Sequence, residues 1–250
     1  LYLNGGITKK DLSSKIQKDK NVSVYVDKET TQSKNVGYLK NKAFHLGKGD
    51  ILVEVDHDDL LTKDCLEEVA KAFKENPDVG FVYSDDAKLE KEGIPFNRYY
   101  GWTEPYKFEW EGEEYWVNKS FPVADAATCA TIFYAPDHVR CWKKEVYVEV
   151  GGHNKDLSIL DDLDLMAKTY LVTDFYYIEK VLYIYRVHGD NTWLERNQAI
   201  QDGTNKFQYE NQQKLAMHDA KKNNLSFVNL NDVKFDISKP WPLADNSVGV

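Results

Sequence analysis

The sequence predicts a three-layer α/β sandwich with a mixed, mostly parallel sheet and an aromatic-rich insertion. Three observations carry this. Short apolar runs bounded by turn residues alternate with helical patterns over the first third of the chain. A dense run of aromatics then interrupts the alternation between residues 90 and 120. The composition is that of a globular chain: 250 residues, 42% hydrophobic and 29% charged. A chain of this length buries roughly 70–75% of its unfolded surface without help from disulfides or a structural metal.

Leu1–Leu3 reads as a strand that runs into the turn Asn4-Gly5-Gly6, and Lys9–Lys18 is compatible with a polar helix. Val22–Val26 alternates as a strand does. Val36–Leu46 places Leu39, Ala43 and Leu46 on one helical face, stopped by Gly47 and Gly49. Ile51–Val55 is an apolar strand closed by Asp56-His57-Asp58-Asp59. Thr62–Glu75 is a helix with Thr62 as N-cap and Leu66, Val69, Ala70 and Phe73 on its core face. Val79–Tyr83 is the next strand. The aromatics of 90–120 suggest a hairpin or long loop, either a binding element or a small core over a sheet edge. Thr128–Tyr134 reads as a strand, Pro136–Val150 as one or two short helices, Leu160–Leu171 as a helix, and Phe175–Ile178 and Val181–Arg186 as strands. Thr192-Trp193-Leu194-Glu195 has capping-box spacing and opens a polar helix to about Asn223. Its sparse stripe of Trp193, Ile200, Phe207 and Leu215 suits the surface or another subunit.

Lys plus Arg number 32 and Asp plus Glu 41, a net charge of −9. Such a chain has no global pull on nucleic acid or anionic lipid, so nucleic acid is not an expected partner. Three cysteines, Cys65, Cys129 and Cys141, lack metal or redox spacing and suit a reducing compartment. No apolar run in the sequence approaches the roughly 18–20 residues of a membrane span. A soluble, cytoplasmic protein without a transmembrane segment is the expectation.

The strongest chemical signal is the acidic loop after Ile51–Val55. Ligands of α/β sheets bind beyond the carboxyl ends of strands. Residues two apart on an extended segment share a face, so Asp56 and Asp58 face one ligand together. Hard carboxylate oxygens suit Mn²⁺ or Mg²⁺, and such an ion would neutralise a diphosphate. The plain alternative is a solvated acidic loop in which Asp59 caps the next helix.

The wider context is more specific. Asn35-Val36-Gly37-Tyr38-Leu39-Lys40-Asn41, then Gly49-Asp50-Ile51-Leu52, then Asp56-His57-Asp58-Asp59 resembles the family 2 glycosyltransferases of the GT-A fold. Gly151-Gly152-His153 with Asp161-Asp162-Leu163-Asp164-Leu165, and Tyr185-Arg186-Val187-His188, are similar to that family's later segments. The resemblance runs from about residue 1 to residue 195. It implies a metal-dependent, inverting glycosyltransferase that moves a sugar from a nucleotide-diphosphate sugar to a hydroxyl acceptor such as a glycan or polysaccharide.

By that resemblance Asp162 is the catalytic base, with Asp161 beside it in place of the family's Glu. Asp56, Lys40, Asn4 and Arg186 are donor contacts. Asp58, with Asp56, holds the metal, and His188, after a strand and the cation Arg186, either completes that shell or is an ordinary loop histidine. Asn4 stands where the family has an acid, and Lys40 and Asn41 either contact the nucleotide base or support its loop. On a helical wheel starting at Leu160, Leu163, Ala167 and Leu171 form the apolar stripe, and Asp161 and Asp162 point away from it. Acids at a helix start are also favoured by the macrodipole alone. Trp102 and Trp110 are candidate acceptor contacts, since aromatic faces suit sugar rings.

The chain opens at what resembles the family's second strand, so a missing first strand is expected. Residues 1–190 would form the GT-A-like domain, 191–223 a long helix, and 224–250 a tail similar to a fragment of a class I methyltransferase. An unpaired sheet edge or the 193–223 helix would serve a homo-oligomer. Two other functions compete: a catalytically idle GT-A domain that binds sugar or a protein partner, and a HAD-type phosphatase using the same D-x-D. Leu60 and the helical setting of Asp161-Asp162 disfavour the phosphatase.

Overall fold

The computed structural model describes residues 1–3, 7–27, 35–90, 105–121, 136–188 and 191–223. A small parallel pair, β1 (Tyr2–Leu3) and β2 (Tyr25–Val26), is separated in sequence by a 3-10 turn (Lys9–Asp11) and α1 (Ser14–Lys18). There follow α2 (Val36–His45), β3 (Ile51–Val53), β4 (Leu60–Leu61), α3 (Cys65–Glu75) and β5 (Val79–Glu90). The aromatic segment forms the hairpin β6 (Tyr106–Trp110) and β7 (Glu113–Asn118). Next come β8 (Arg140–Lys143), α4 (Lys144–Glu149), α5 (Asp161–Tyr170) and β9 (Asp174–Val187). The chain then forms α6 (Thr192–Glu195) and α7 (Asn197–Lys222).

β5 is the axis of a seven-stranded sheet. β9 runs parallel along one of its edges, and β4 pairs antiparallel with β9. The other edge of β5 forks. Phe81–Tyr83 pair with β8, which pairs onward with β3, and Asp86–Lys88 pair with β7. Polar side chains fill the fork: Ser84 Oγ accepts from Val139 N at 2.9 Å and Asp85 Oδ1 from Ser120 N at 2.7 Å. The sheet is mixed, but among the described pairings only β1–β2 and β5–β9 are parallel. The mostly parallel sheet expected from strand–helix alternation gives way because β8 and the hairpin enter antiparallel.

Period-two alternation on β5 feeds both faces of the sheet. Val82 packs with Cys65, Val69, Ala72 and Phe73 of α3, and with Cys141 and Leu182. Phe81 and Tyr83 pack on the opposite face with Leu52, Trp142, Tyr147, Leu165 and Met166. Cys65 and Cys141 are free thiols in the first of these clusters. Burial pushes the Cys65 thiol up to about 12 and Cys141 well above its ordinary range.

Several local expectations change. α3 is capped at Asp64, whose Oδ1 accepts from Thr62 Oγ1, and its core face is Cys65, Val69, Ala72 and Phe73. Leu66 is 61% exposed. On α2 the buried positions are Gly37 and Asn41, with Phe44 beside the core. Gly37 is required by close approach: a Cβ there would lie 2.0 Å from the Asn154 carbonyl oxygen. Arg140–Lys143 is a strand where a helix is expected, and the two predicted strands of 175–186 are one, β9.

The final helix begins after Asn191, not with a Thr192 cap, and it breaks at Arg196. Two residues of its stripe, Leu215 and Phe207, pack with Ala167 and Tyr170 of α5. No helix among the described residues is long and apolar enough to cross a membrane. Asn4, Trp102, the strand at 128–134 and the tail at 224–250 lie outside the described residues.

Candidate active site

The site grows out of β3. Leu52, Glu54 and Asp56 follow at period two, on the side of the sheet that faces α2 and α5. Leu52 is in the core, Glu54 is 1% exposed, and the Asp56 side chain is about one-third exposed at 34%. Arg140 has the same parity on β8 as the core residue Trp142, and the Glu54 N–H donates to its carbonyl at 2.9 Å. From α2, Lys40 Nζ lies 2.5 Å from Glu54 Oε1 and 3.4 Å from Asp56 Oδ1. Arg140 Nη1 lies 3.9 Å from Glu54 Oε2 and 2.9 Å from Asp162 Oδ2. Glu54 thus stands between two cations, one touching the acidic loop and the other the start of α5.

Leu160 delivers that helix start. It turns through a left-handed conformation (φ 61°) immediately before Asp161-Asp162. For a residue other than glycine this costs on the order of 1–3 kcal/mol, offset by the surrounding structure. Asp161 turns inward, with Oδ2 3.8 Å from His153 Nε2. Asp162 stays about one-third open, with its side chain 32% exposed. The His153 loop is tied to α2 by Asn41, whose Nδ2 donates to the His153 carbonyl at 2.8 Å.

Electrostatics separates these carboxyls. Burial alone would raise Glu54, but Lys40 and Arg140 hold it well below the carboxylate range. Burial would likewise raise Asp162, and Arg140 with Lys40 brings it below its ordinary value. At Asp161 burial, joined by repulsion from Asp162 and Glu54, prevails over Lys40 and lifts the group to about 7. Burial lowers His153 to about 4, so it is neutral at physiological pH. Lys40, partly buried, is raised by four carboxyls, Asp56, Glu54, Asp161 and Asp162, against the cost of desolvation.

The acidic loop carries a second group. His188 Nε2 meets Asp58 Oδ2 at 2.8 Å, and the Arg186 Nε–H donates to the Asp58 carbonyl. Burial would raise Asp58, and the hydrogen bond from His188 brings it below its ordinary value. Asp59 caps no helix. It accepts from Tyr183 Oη at 2.7 Å and Arg186 N at 2.8 Å, which pins the loop to β9.

Behind the loop lies another buried charge cluster. His138 stacks on Tyr183 with ring centroids 4.5 Å apart. Its Nδ1 is 3.1 Å from Asp137 Oδ1, and Lys88 bridges Asp137 (3.9 Å) and Asp86. Asp86 is lifted to about 7 by burial and by Asp137. Asp85 accepts from Tyr106 Oη at 2.8 Å and Tyr177 Oη at 2.7 Å, which fastens the aromatic hairpin to the sheet.

The sequence pattern of Glycosyl transferase family 2 matches residues 8–135, just over half of the chain. The chain belongs to glycosyl transferase family 2. Its fold is the GT-A-like α/β sandwich that the sequence predicts, and the phosphatase reading falls with that membership. Chondroitin synthase of Escherichia coli is 23% identical over 165 residues, covering 66% of this chain and 21% of its own length. Hyaluronan synthase of Pasteurella multocida is 24% identical over 161 residues, covering 64% of this chain and 14% of its own. The chain therefore spans about a fifth or less of these relatives. Among solved structures, S. aureus TarS 1-349 in complex with UDP-GlcNAc aligns with a TM-score of 0.49 at 15% identity, over 69% of this chain and 44% of that one.

Of the residues singled out from the sequence, the fold gathers Lys40, Asp56, Asp161 and Asp162 around one buried centre. It sets Asp58, Arg186 and His188 together on the adjoining loop. Asn41 supports the 151–153 turn. Trp110 packs in the small core beneath the hairpin with Phe108, Tyr115, Ala87 and Ile184, the core alternative weighed for the aromatic segment. Glu54 and Arg140 were not foreseen. Glu54 had one legible signal: a lone carboxylate in an apolar strand, two residues before Asp56. Arg140 had none, because its partner lies 22 residues away.

Proposed function

We propose that this family 2 domain transfers a sugar from a nucleotide-diphosphate sugar to a hydroxyl of a growing polysaccharide, with inversion at the anomeric carbon. The observation that carries the reading is the shared environment of Lys40, where the acidic-loop Asp56 and the helix-start Asp162 meet one buried cation–carboxylate network. The partially open Asp162 carboxylate is the base that takes the acceptor hydroxyl's proton as its oxygen attacks the sugar. It suits that task because it is ionised and open to solvent on one side. The kinship with polymer synthases supports a polysaccharide acceptor.

The donor set suits a divalent metal of the Mg²⁺ or Mn²⁺ kind. No three or more acidic, His or Cys side chains converge as a preformed metal site among the described residues. Asp58 and His188 nevertheless lie within 2.8 Å of one another beside Asp56. Such ions are commonly held by one or two carboxylates together with substrate phosphates. When bound, the metal would supply positive charge to the departing diphosphate. Lys40 orients Asp56, and Asp59 with Tyr183 keeps the loop in place. Trp102 and Trp110 remain our candidates for the acceptor side, and Asn4 for the donor.

The test is nucleotide release and polymer extension from a panel of UDP-sugars, with and without Mn²⁺, in wild type and Asp58→Ala. Metal-dependent turnover lost in the variant is expected. Turnover indifferent to Mn²⁺ and to Asp58 would remove the metal from the proposal.

A further inference from the structure

We propose that Arg140 is the positioning residue of this site, orienting the Asp162 carboxylate for proton abstraction. The inference rests on the reading of Asp162 as the base. Arg140 is 1% exposed, yet its guanidinium reaches a carboxylate that opens to solvent. Its Nε donates to the Pro136 carbonyl at 3.2 Å, and Nη1 donates to Asp162 Oδ2 at 2.9 Å. A planar guanidinium fixed at Nε has little freedom to swing at Nη1. The other carboxylate oxygen, Oδ1, accepts from Leu163 N at 2.8 Å. Each oxygen of Asp162 therefore has one anchoring donor. A carboxylate offers about four lone-pair sites in all, which leaves acceptor capacity on the open side for an incoming hydroxyl.

The arrangement links two elements that the sequence does not connect. Arg140 belongs to β8, in the middle of the sheet, and Asp162 to the first turn of α5. The titratable and charged groups that act on Asp162 are Arg140 from β8, Lys40 from α2, Glu54 from the end of β3, Asp161 from its own helix and His153 from the loop before it. Two are cations that keep the carboxyl ionised, and Arg140 is the one in direct contact. Glu54, 3.9 Å from Arg140, acts against them by raising Asp162, and the two cations prevail.

The experiment is a carboxyl-carbon NMR titration of the full chain labelled at aspartate, with the Asp162 resonance identified by Asp162→Asn. In wild type, Asp162 should titrate below the ordinary aspartate range. In Arg140→Met its titration should move upward, and in Arg140→Lys by a smaller step. The lysine variant retains charge and serves if the methionine variant does not fold. Identical titration of Asp162 in wild type and the folded variant would overturn the proposal.

Turnover supplies the second arm. Arg140→Met should lower kcat by about 10²-fold, as misplacing a catalytic group does, with donor KM little changed. The acid limb of the pH profile should move to higher pH. In the Asp162→Asn background the same change should cost nothing further; an additive second loss would overturn positioning through Asp162. Full turnover in Asp162→Asn would sink the base reading and this role with it. An inactive Asp162→Asn with unmoved titration in the Arg140 variants would sink the positioning role alone.

Discussion

The Lys40–Arg140 cluster and the Lys88–Asp137 cluster are built from similar materials. Each places basic side chains among buried carboxyls, and each holds one aspartate lifted to about 7, Asp161 in the first and Asp86 in the second. They differ at their edges. The first ends in Asp56 and Asp162, each about one-third exposed. In the second, Asp85, Asp86, Lys88, Asp137 and His138 are all buried, and Asp85 is occupied by two tyrosine hydroxyls. On our reading of the site, buried charge by itself is a poor marker of chemistry. A graded row from apolar to buried ion to open ion, such as Leu52, Glu54 and Asp56, is the better one.

The comparison breaks most sharply on turnover. Asp162→Asn should reduce transfer by correctly folded protein by about 10²–10⁴-fold, the usual contribution of a positioned base. Asp86→Asn should leave the rate of correctly folded protein nearly unchanged. Comparable rate losses in both would erase the distinction.

Stability should separate the clusters next. Glu54→Gln leaves the buried Arg140 and the partly buried Lys40 without their shared counter-ion, and breaking such a network costs about 3–5 kcal/mol. Asp86 is lifted to about 7, so its neutral amide should cost less than Glu54→Gln at pH 6 by urea unfolding. The reverse ranking would mean that Lys88 depends on Asp86 more than Lys40 and Arg140 do on Glu54.

A smaller effect tests what the clusters share. Asp161 and Asp86 titrate near 7 when folded, against an ordinary value of 3.8. Their protonated forms stabilise the fold fully below about pH 4, and this contribution is lost as pH rises toward and through 7. His153, lowered to about 4, acts oppositely: its contribution is present above about 6.5 and lost as pH falls toward 4. Asp161→Asn and Asp86→Asn should each flatten the decline in stability between pH 4 and 7, measured by melting in a buffer series. An unchanged slope in either variant would show that its carboxyl is not the group responsible.

The smallest change lies at the hairpin. Trp110→Ala should cost about 1–2 kcal/mol, below the value for a fully buried tryptophan, because the ring is only partly covered. If it also weakened acceptor use at constant donor hydrolysis, the acceptor role would stand beside the packing role.

What the sequence revealed follows from the range of the interactions involved. α2, α3, α5 and β3 were legible because period, punctuation and the acidic loop are local. β8 was missed because Arg140-Cys141-Trp142-Lys143 runs without punctuation into α4. Glu179-Lys180 separates the two predicted strands but lies inside β9, where Lys180 meets Asp64 and Glu68 at the start of α3. The mostly antiparallel pairing could not be read from alternation, since strand direction is set by partners distant in sequence. In the site Lys40, Asp56, Asp161 and Asp162 were visible, but Arg140 and the Glu54 that it shares with Lys40 were not, for the same reason.

The two thiols of the α3-side cluster give this molecule an internal clock. Cys65 and Cys141 are shielded from reagents and held in the unreactive protonated form. With Cys129 replaced by serine, the rate at which iodoacetamide consumes the remaining thiols would count openings of the sheet–helix interface. Cys65 sits on the helix and Cys141 in the central sheet, so a mass-resolved time course would tell whether α3 peels away first or the two layers part together.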